Sequence, residues 1–337
     1  MSTPPFNITN KMLSLIVNIT EQVTRLEVER ERNLQLRKDN RIRSIHSSLA
    51  IEQNSLSFEQ VSDIINGKRV LGAPQEIREV QNAYQAYEKV FKMNPYSIDD
   101  FLTAHGLMTQ GLLQDNGEFR SSNVGVFDGG GKIVHLGARP QFVHNLVSEL
   151  FQWGTADDIP DLIKSCVVHF EIEMIHPFPD GNGRMGRLWQ NLILSKWHPV
   201  FEWLPIETIV NEHQQKYYDM LNTGDKENNS TCFIEFMLEV ILETIENLDV
   251  NAMSDKMSDK MSDKIQEELN DNEKDFLRLI YPTLKNGDEI MNAKAVKLSG
   301  KSAATVRRYF AKLVDVGVLK AVGSNKSRRY FLHLEET

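Results

Sequence analysis

Apolar residues recur every three or four positions along most of this chain, which is the spacing of one face of an α-helix. Residues 12–41 show this pattern first, with an apolar stripe that begins at Leu13 and a strongly charged face. Ser57 is a good N-cap for a short helix over residues 58–66, which Gly67 ends. The same spacing predicts further helices over residues 75–93, 98–112, 140–153, 160–174, 211–221 and 232–250, and one that begins near Arg184. The fold is therefore predicted to be mainly α.

Two short stretches follow the spacing of β-strands instead. Residues 124–127 and 132–136 are β-branched runs on either side of the glycine-rich turn 128–131. Two such runs around a glycine turn are typical of a β-hairpin.

The last part of the chain has its own pattern. Residues 253–264 repeat MSDK three times, which predicts a solvated linker, although a period of four also allows an extended helix. Beyond it we predict helices over residues 272–284 (interrupted at Pro282) and 291–298, a third capped by Ser302, and strands over residues 318–322 and 329–334. Residues 270–337 carry 13 Lys and Arg against 8 Asp and Glu, a net charge of +5, whereas the whole chain carries −9. This asymmetry indicates a separate C-terminal module.

Composition narrows the class of protein. The chain has 337 residues, of which 41% are hydrophobic and 25% charged, as in ordinary globular proteins. We expect no secretory signal and no membrane span. Cys166 and Cys232 both lie in apolar helical patterns, so we interpret them as buried thiols of a cytoplasmic protein. The negative total charge argues against a nucleic-acid or anionic-membrane binder as a whole.

The chemistry is concentrated in residues 175–190, IHPFPDGNGRMGRLWQ. His176 follows an apolar helix that Pro177 and Pro179 end, and it is a candidate general base. Gly181, Asn182 and Gly183 precede the next helix, where bare backbone N–H groups favour anions. Arg184 and Arg187 add two cations suited to phosphate oxygens, and Asp180 offers an oxygen ligand for Mg²⁺. The stretch therefore predicts a site for a polyphosphate, a metal and a base.

These residues resemble the motif of the Fic family, HxFx(D/E)GNGRxxR, at each of its fixed positions. The resemblance implies transfer of AMP from ATP to a Ser, Thr or Tyr hydroxyl of a protein, with Mg²⁺ on Asp180. It also implies that Tyr217, Tyr218 and Asn222 contact the nucleotide and that the hairpin is a flap that pairs with the target backbone. The flap residues would be Val124, Gly125, Val126 and Phe127. We interpret His105 as structural or surface, His135 as exposed and His169 as a satisfied core histidine.

Residues 48–52, SLAIE, resemble the inhibitory motif of Fic proteins, (S/T)xxxE followed by Gly or Asn. The resemblance implies that Ser48 and Glu52 lie on an N-terminal inhibitory helix and that Glu52 pairs with Arg187 at the site of the γ-phosphate. Gln53 departs from this pattern, with Asn54 one position late. The alternative is that Ser48 and Glu52 are a helix cap and a surface carboxylate.

The C-terminal module resembles a winged helix-turn-helix, which implies DNA contacts from its third helix and its wing. The candidates are Thr305, Arg307, Arg308, Lys326, Arg328 and Arg329; a protein-contact or dimerisation module is the alternative. We therefore divide the chain into an N-terminal helical region (1–95), a catalytic core (96–250), a linker (251–268) and a winged helix (269–337). Phosphoryl transfer, removal of AMP, or a DNA-binding regulator with a nucleotide-sensing core are the other functions that we weigh. Self-modification and a homodimer are open, and the sequence does not identify the target protein.

Overall fold

Helices make up most of the computed structural model of the chain, which describes residues 3–30, 34–127, 133–156, 158–260, 268–284, 289–324 and 328–333. The chain divides into two units, Met1–Ile245 and Glu246–Thr337. The mainly α prediction is confirmed. The finer division at residues 95 and 251–268 stays a prediction. None of the described helices combines the length and the apolarity that a membrane crossing needs.

The helices of the first unit agree with the hydrophobic pattern, apart from their ends. They are α1 (Asn10–Arg30), α2 (Leu34–Ile51), α3 (Phe58–Ile65), α4 (Pro74–Val90), α5 (Ile98–Met108), α6 (Pro140–Gly154), α7 (Asp161–Ile175), α8 (Asn182–Trp197), α9 (Ile206–Glu212), α10 (Gln214–Glu227) and α11 (Thr231–Lys260). A short 3₁₀ helix, Pro199–Glu202, lies between α8 and α9. Ser57 caps α3 as predicted, in a reciprocal pair with Gln60, and Ser97 caps α5.

The N-terminal prediction differs from the structure in where the helical region ends. Helices α1 and α2 cover the described residues of the predicted helix over residues 12–41, and residues 31–33 lie outside the described part. Helix α2 also continues ten residues beyond the predicted end, to Ile51. Ser48 therefore lies within α2, while Glu52 follows directly in the turn after it.

Helices α7 and α8 form the centre of the first unit. Helix α7 is buried on nearly all sides, which explains why its sequence is apolar almost throughout. It packs along α8, whose Leu188, Trp189 and Leu192 are completely buried. The loop between these two helices, residues 176–181, is thus held at both ends by the core.

The predicted hairpin is present. Strands β1 (Gly125–Phe127) and β2 (Ile133–Leu136) are antiparallel, and Val126 pairs with His135. Val124 lies just before β1 and accepts a hydrogen bond from the backbone N–H of Gly137 (3.2 Å). The turn 128–131 and Lys132 lie outside the described residues.

The second unit combines helices with a small sheet. Its elements are the end of α11, then α12 (Asp271–Leu284), β3 (Ile290–Met291), α13 (Asn292–Ser299), α14 (Ala303–Asp315), β4 (Leu319–Val322) and β5 (Arg329–Leu332), with strand order β3-β5-β4. Ser302 caps α14 as predicted, whereas the predicted interruption at Pro282 is wrong because α12 continues to Leu284. Strand β3 was not predicted. Its two residues are too few to show a periodic pattern.

Helix α11 continues through Lys260, so the first two of the three MSDK repeats are part of a helix, which is the alternative that their period of four allows. Residues 261–267 lie outside the described part. The core of the unit is aromatic: Phe276 and Phe310 are fully buried, and Phe310 stacks on Tyr330 with ring centroids 3.8 Å apart.

Candidate active site

The loop between α7 and α8 is fixed by its own backbone. His176 ends α7 in the left-handed conformation (φ 51°), and Gly181 precedes α8 in the same region (φ 84°). Asn182 then closes the loop, because its side-chain oxygen accepts from the Phe178 N–H and its amide donates to the Phe178 carbonyl, each at 2.9 Å. The Asn182 side chain is buried and used internally, so only its backbone is available to a ligand.

Two side chains from other elements support this loop. His105 is fully buried, with its Nε2 3.0 Å from the Asp180 carbonyl and its Nδ1 accepting from the Gly117 N–H. Its ring stacks on Phe178 with centroids 3.7 Å apart. Nε2 is therefore the protonated nitrogen, and burial lowers the pKa of His105 to about 4. The histidine is structural.

Arg120 holds the carboxyl end of α7. Its Nε donates to the His176 carbonyl (2.6 Å), and its guanidinium also reaches the carbonyls of Ile175, Ser122 and Ala138. One buried arginine thus binds the site loop to the start and the end of the hairpin. Residues 117–120, GEFR, resemble the G-x-(F/Y)-R element that precedes the flap in the Fic family, but the pattern does not show which backbone carbonyls Arg120 contacts.

His176 presents one nitrogen for chemistry. Its Nδ1 is 3.2 Å from the Glu173 carbonyl, so this nitrogen carries the proton and Nε2 keeps its lone pair. Burial lowers the pKa of His176, and the nearby Glu173 carboxylate opposes that shift. The neutral base form is therefore the stable one near pH 7.

Arg184 is a buried cation with unused donors. Its side chain is 5% exposed, and its Nη2 lies 3.2 Å from Asp180 Oδ2. Among the residues that the structure describes, its Nε and Nη1 have no hydrogen-bond partner. Leaving buried donors unpaired costs about 1–3 kcal/mol each, so such groups usually have a ligand or water in the working protein.

Arg187, one helical turn further on, instead donates hydrogen bonds to Ser48 and Glu52. Its Nε donates to Ser48 Oγ (3.1 Å), and its Nη2 donates to the Ser48 carbonyl (3.0 Å) and to Glu52 Oε1 (2.7 Å). The Glu52 carboxylate also covers the start of α8: a Cβ added at Gly183 would lie 2.4 Å from Glu52 Oε1. The structure therefore brings together Ser48, Glu52 and Arg187, and only a glycine leaves room for this contact.

A cavity of about 630 Å³ opens beside these groups. Its lining includes the predicted site residues Glu52, His176, Gly183, Arg187, Tyr217, Tyr218 and Asn222, together with Val126 of the hairpin. Tyr217 is buried and its hydroxyl donates to Glu173 Oε1 (3.2 Å), while Tyr218 is 43% exposed and donates to the Ile51 carbonyl (3.1 Å). The cavity is large enough for a nucleotide-sized ligand.

The other histidines divide into one confirmed and one wrong prediction. His169 is a satisfied core histidine, with Nδ1 2.6 Å from Gln190 Oε1 and Nε2 3.0 Å from the Tyr217 hydroxyl. His135 was expected to be exposed, but its side chain is only 14% exposed and pairs with Asp225. Strand β2 lies against α10, and the two-residue period of a strand cannot reveal which face a neighbouring helix covers.

Asp180 is the candidate metal ligand. Its carboxylate is 62% exposed, with Oδ1 accepting from the Gly181 N–H (2.6 Å) and Oδ2 close to Arg184. Within the described ranges, no three His, Cys, Asp or Glu side chains form a cluster that could hold a metal by themselves. A single carboxylate fits Mg²⁺, which is usually held by one or two carboxylates, water and substrate phosphates.

The candidate DNA contacts lie in the second unit. Arg307, Arg308, Arg328 and Arg329 are exposed, and Thr305 is half-buried. Arg329 also pairs with Glu289 (2.5 Å). Lys326 lies outside the described residues.

Comparisons with known proteins agree with this geometry. The profile of the Fic/DOC family matches residues 95–194. A Fic family protein from Desulfovibrio desulfuricans G20, of known crystal structure, is 34% identical over the whole of both chains, with a TM-score of 0.72. The "Protein adenylyltransferase Fic" of Culex quinquefasciatus is 28% identical over 60% of this chain and 40% of its own. A "Probable protein adenylyltransferase" of Aquifex aeolicus is 29% identical over 44% of this chain and 45% of its own. The chain thus spans less than half the length of these two curated relatives.

Proposed function

The chain belongs to the Fic family, and from this premise we propose that it transfers AMP from ATP to a hydroxyl side chain of a protein. The printed names of its relatives from Culex quinquefasciatus and Aquifex aeolicus support the reaction class. The substrate protein is not identified by them. The self-modification left open above is part of this proposal, because the chain carries its own exposed hydroxyls.

The unpaired donors of Arg184 carry this proposal furthest. A buried guanidinium with a free Nε and Nη1 lies at the N-terminal turn of α8, where helix backbone N–H groups also favour negative charge. Phosphate oxygens satisfy both kinds of donor at once. ATP fits this chemistry, and the adjoining cavity, which Tyr217 and Tyr218 help to line, has room for its nucleoside.

Asp180 is the residue that would hold Mg²⁺. The ion, when bound, neutralises the phosphate charges that develop during displacement at phosphorus. Because Asp180 is mostly exposed and contacts Gly181 and Arg184, it would hold the metal beside the phosphates that the arginine is proposed to bind.

His176 is the proposed general base. The target hydroxyl oxygen attacks the α-phosphorus, His176 Nε2 takes its proton, and the bond to the β-phosphate breaks to release pyrophosphate. The Nδ1 contact with the Glu173 carbonyl keeps Nε2 unprotonated before the reaction. The hairpin would hold the target backbone by strand addition beside Val126.

Glu52 is proposed to inhibit this reaction from the turn after α2. Its carboxylate occupies Arg187, the cation suited to the γ-phosphate, and lies against Gly183. A γ-phosphate placed there would meet a like charge and lack its counter-ion. ATP would then bind with its α-phosphate misplaced, and positioning errors of this kind reduce rates by orders of magnitude.

The test is label transfer from α-³²P-ATP to protein. Glu52→Gly is expected to raise the initial rate well above wild type, while Asp115→Gly, which removes a carboxylate from an exposed bend, is the matched control and leaves the rate unchanged. His176→Ala in the Glu52→Gly background abolishes labelling. Full labelling without His176 would remove it from the mechanism, and labelling from γ-³²P-ATP instead would indicate phosphoryl transfer.

We also propose that the second unit is a winged helix-turn-helix that contacts DNA. The order of α12, α13 and α14 before the β4–β5 hairpin supports it, as do the exposed Arg307 and Arg308 on α14. Arg307→Ala with Arg308→Ala should weaken filter binding of duplex DNA and reduce its salt dependence. Binding that does not change with salt would contradict DNA contact.

A further inference from the structure

His135 is held between two elements of the first unit by both of its ring nitrogens. Nδ1 lies 2.9 Å from Asp225 Oδ2 on α10, and Nε2 lies 2.9 Å from the Met174 carbonyl in the last turn of α7. The imidazole ring centroid is 6.4 Å from that of His176. A strand of the hairpin is therefore fastened to the wall of the cavity and to the helix that carries the candidate base.

The two partners determine the hydrogen-bonding state of this ring. A carboxylate oxygen and a backbone carbonyl oxygen both only accept hydrogen bonds, so both contacts form together only when Nδ1 and Nε2 each carry a proton. A neutral imidazole would satisfy one of them.

The other charged groups near the ring do not replace these partners. Besides Asp225, the ring faces His176 at the end of α7. The remaining charged side chains of the cavity lining are Glu52, Glu173, Arg187 and Asp219. Three of these four side chains are carboxylates.

The register of the hairpin links this contact to the target. His135 pairs directly with Val126, the flap residue that lines the cavity. Met174, which accepts from the ring, lies two residues before His176. One side chain thus connects the strand expected to receive the target backbone with the base expected to take the target proton.

We propose that His135 is a positioning residue. Its two ring nitrogens, held by Asp225 and the Met174 carbonyl, fix the flap at the distance from α7 at which a target hydroxyl meets His176. The proposal rests on the proposed function for its role in transfer. It separates the target side of the reaction from the nucleotide side, because the clamp touches none of the phosphate-binding groups.

The first test measures the clamp itself and needs no activity. Amide hydrogen exchange of peptides covering residues 125–127 and 133–136 is compared between wild type and His135→Phe, which keeps an aromatic ring but no donors. Exchange should accelerate about tenfold or more, the range expected when hydrogen bonds to a charged group are lost. His213→Phe breaks a comparable His–carboxylate pair with Glu243 (3.1 Å) and is the matched control, with unchanged flap exchange. Asp225→Asn should give a smaller acceleration.

The second test measures positioning in the Glu52→Gly background. The acceptor is a synthetic extended peptide with one central threonine, and release of AMP to water is measured in parallel. His135→Phe should raise KM for the peptide and lower the ratio of peptide labelling to hydrolysis by about tenfold. Unchanged flap exchange, or an equal loss of peptide labelling and hydrolysis, would overturn the proposal. If the protein with His135 does not label the peptide, the result counts against AMP transfer. Amide exchange in the flap still tests the clamp in that case.

Discussion

Gln53 is the residue at which the turn after α2, which carries Glu52 and is proposed to inhibit the reaction, is under backbone strain. It follows Glu52 with φ 67°, in the left-handed region, and its N–H donates to the Ala50 carbonyl (3.0 Å). This conformation is easy for Gly and tolerable for Asn, whereas other residues lose about 1 kcal/mol or more there. This cost explains why Gly or Asn is expected after the inhibitory Glu. Gln53 is neither, so it bears the cost of the left-handed conformation.

The size of the effect follows from this strain. If the left-handed turn exists only while Glu52 is docked on Arg187, then Gln53→Asn should stabilise the docked state by about 1 kcal/mol, which is about a fivefold shift of the docking equilibrium. Gln53 is exposed, so the substitution removes no packing. Basal AMP transfer should fall about fivefold, because the docked state excludes productive ATP.

The assay is the initial rate of α-³²P incorporation for wild type, Gln53→Asn and Gln53→Val. The β-branched valine is penalised more in the left-handed region, so its rate should rise. In the Glu52→Gly background, where the docked state carries no carboxylate, Gln53→Asn should have no effect. Equal rates for wild type, Gln53→Asn and Gln53→Val would refute the reasoning and show that the turn does not control the site.

Three further predictions concern the scaffold. Burial lowers the pKa of His105 to about 4. The neutral ring therefore contributes fully to stability above pH 6.5, and this contribution is lost as the pH falls toward 4. Between pH 8 and pH 5, the free energy of unfolding in urea should fall by about 2 kcal/mol more for the wild type than for His105→Gln. Gly154→Ala should lower the melting temperature of the first unit, because its Cβ would lie 2.3 Å from the Tyr96 ring, whereas Gly67→Ala, with open space around it, should cost less. Phe310→Ala should destabilise the second unit by about 3–5 kcal/mol in urea unfolding and leave α-label transfer by the first unit unchanged.

Much of the site could be predicted because its parts are close in sequence. His176, Asp180, Gly181 and Arg184 lie within one loop and the first turn of the next helix, so their residue types already specify a helix stop, a left-handed glycine and a helix start. Local backbone chemistry of this kind is carried by short segments. The helices themselves followed from the apolar spacing for the same reason.

Contacts across the fold were harder to predict. Glu52 and Arg187 are 135 positions apart, and their pairing was expected only from resemblance to a family. Residues 117–120, GEFR, match a short element of the family, but that match did not identify the backbone carbonyls that Arg120 contacts, and the pairing of His135 with Asp225 was not predicted. Such pairs depend on how elements pack, and a single sequence specifies the packing partners only through the whole fold.

The two motif arginines differ in a way that bears on regulation. Both are almost completely buried and lie three positions apart on α8, yet Arg187 donates to Ser48 and Glu52 while Arg184 keeps two unpaired donors within the described structure. In the part of the chain that the structure describes, Glu52 contacts Arg187 and makes no hydrogen bond to Arg184. Under the proposed inhibition, Glu52 therefore competes with the γ-phosphate at Arg187 and leaves the phosphate-binding donors of Arg184 free. An inhibited chain of this kind should still bind ADP, which lacks the γ-phosphate, with nearly the affinity of the Glu52→Gly variant, and only ATP binding should improve when Glu52 is replaced. Calorimetric titration of both nucleotides into both proteins measures this difference, and equal improvement for ADP and ATP would show that Glu52 blocks the whole phosphate site.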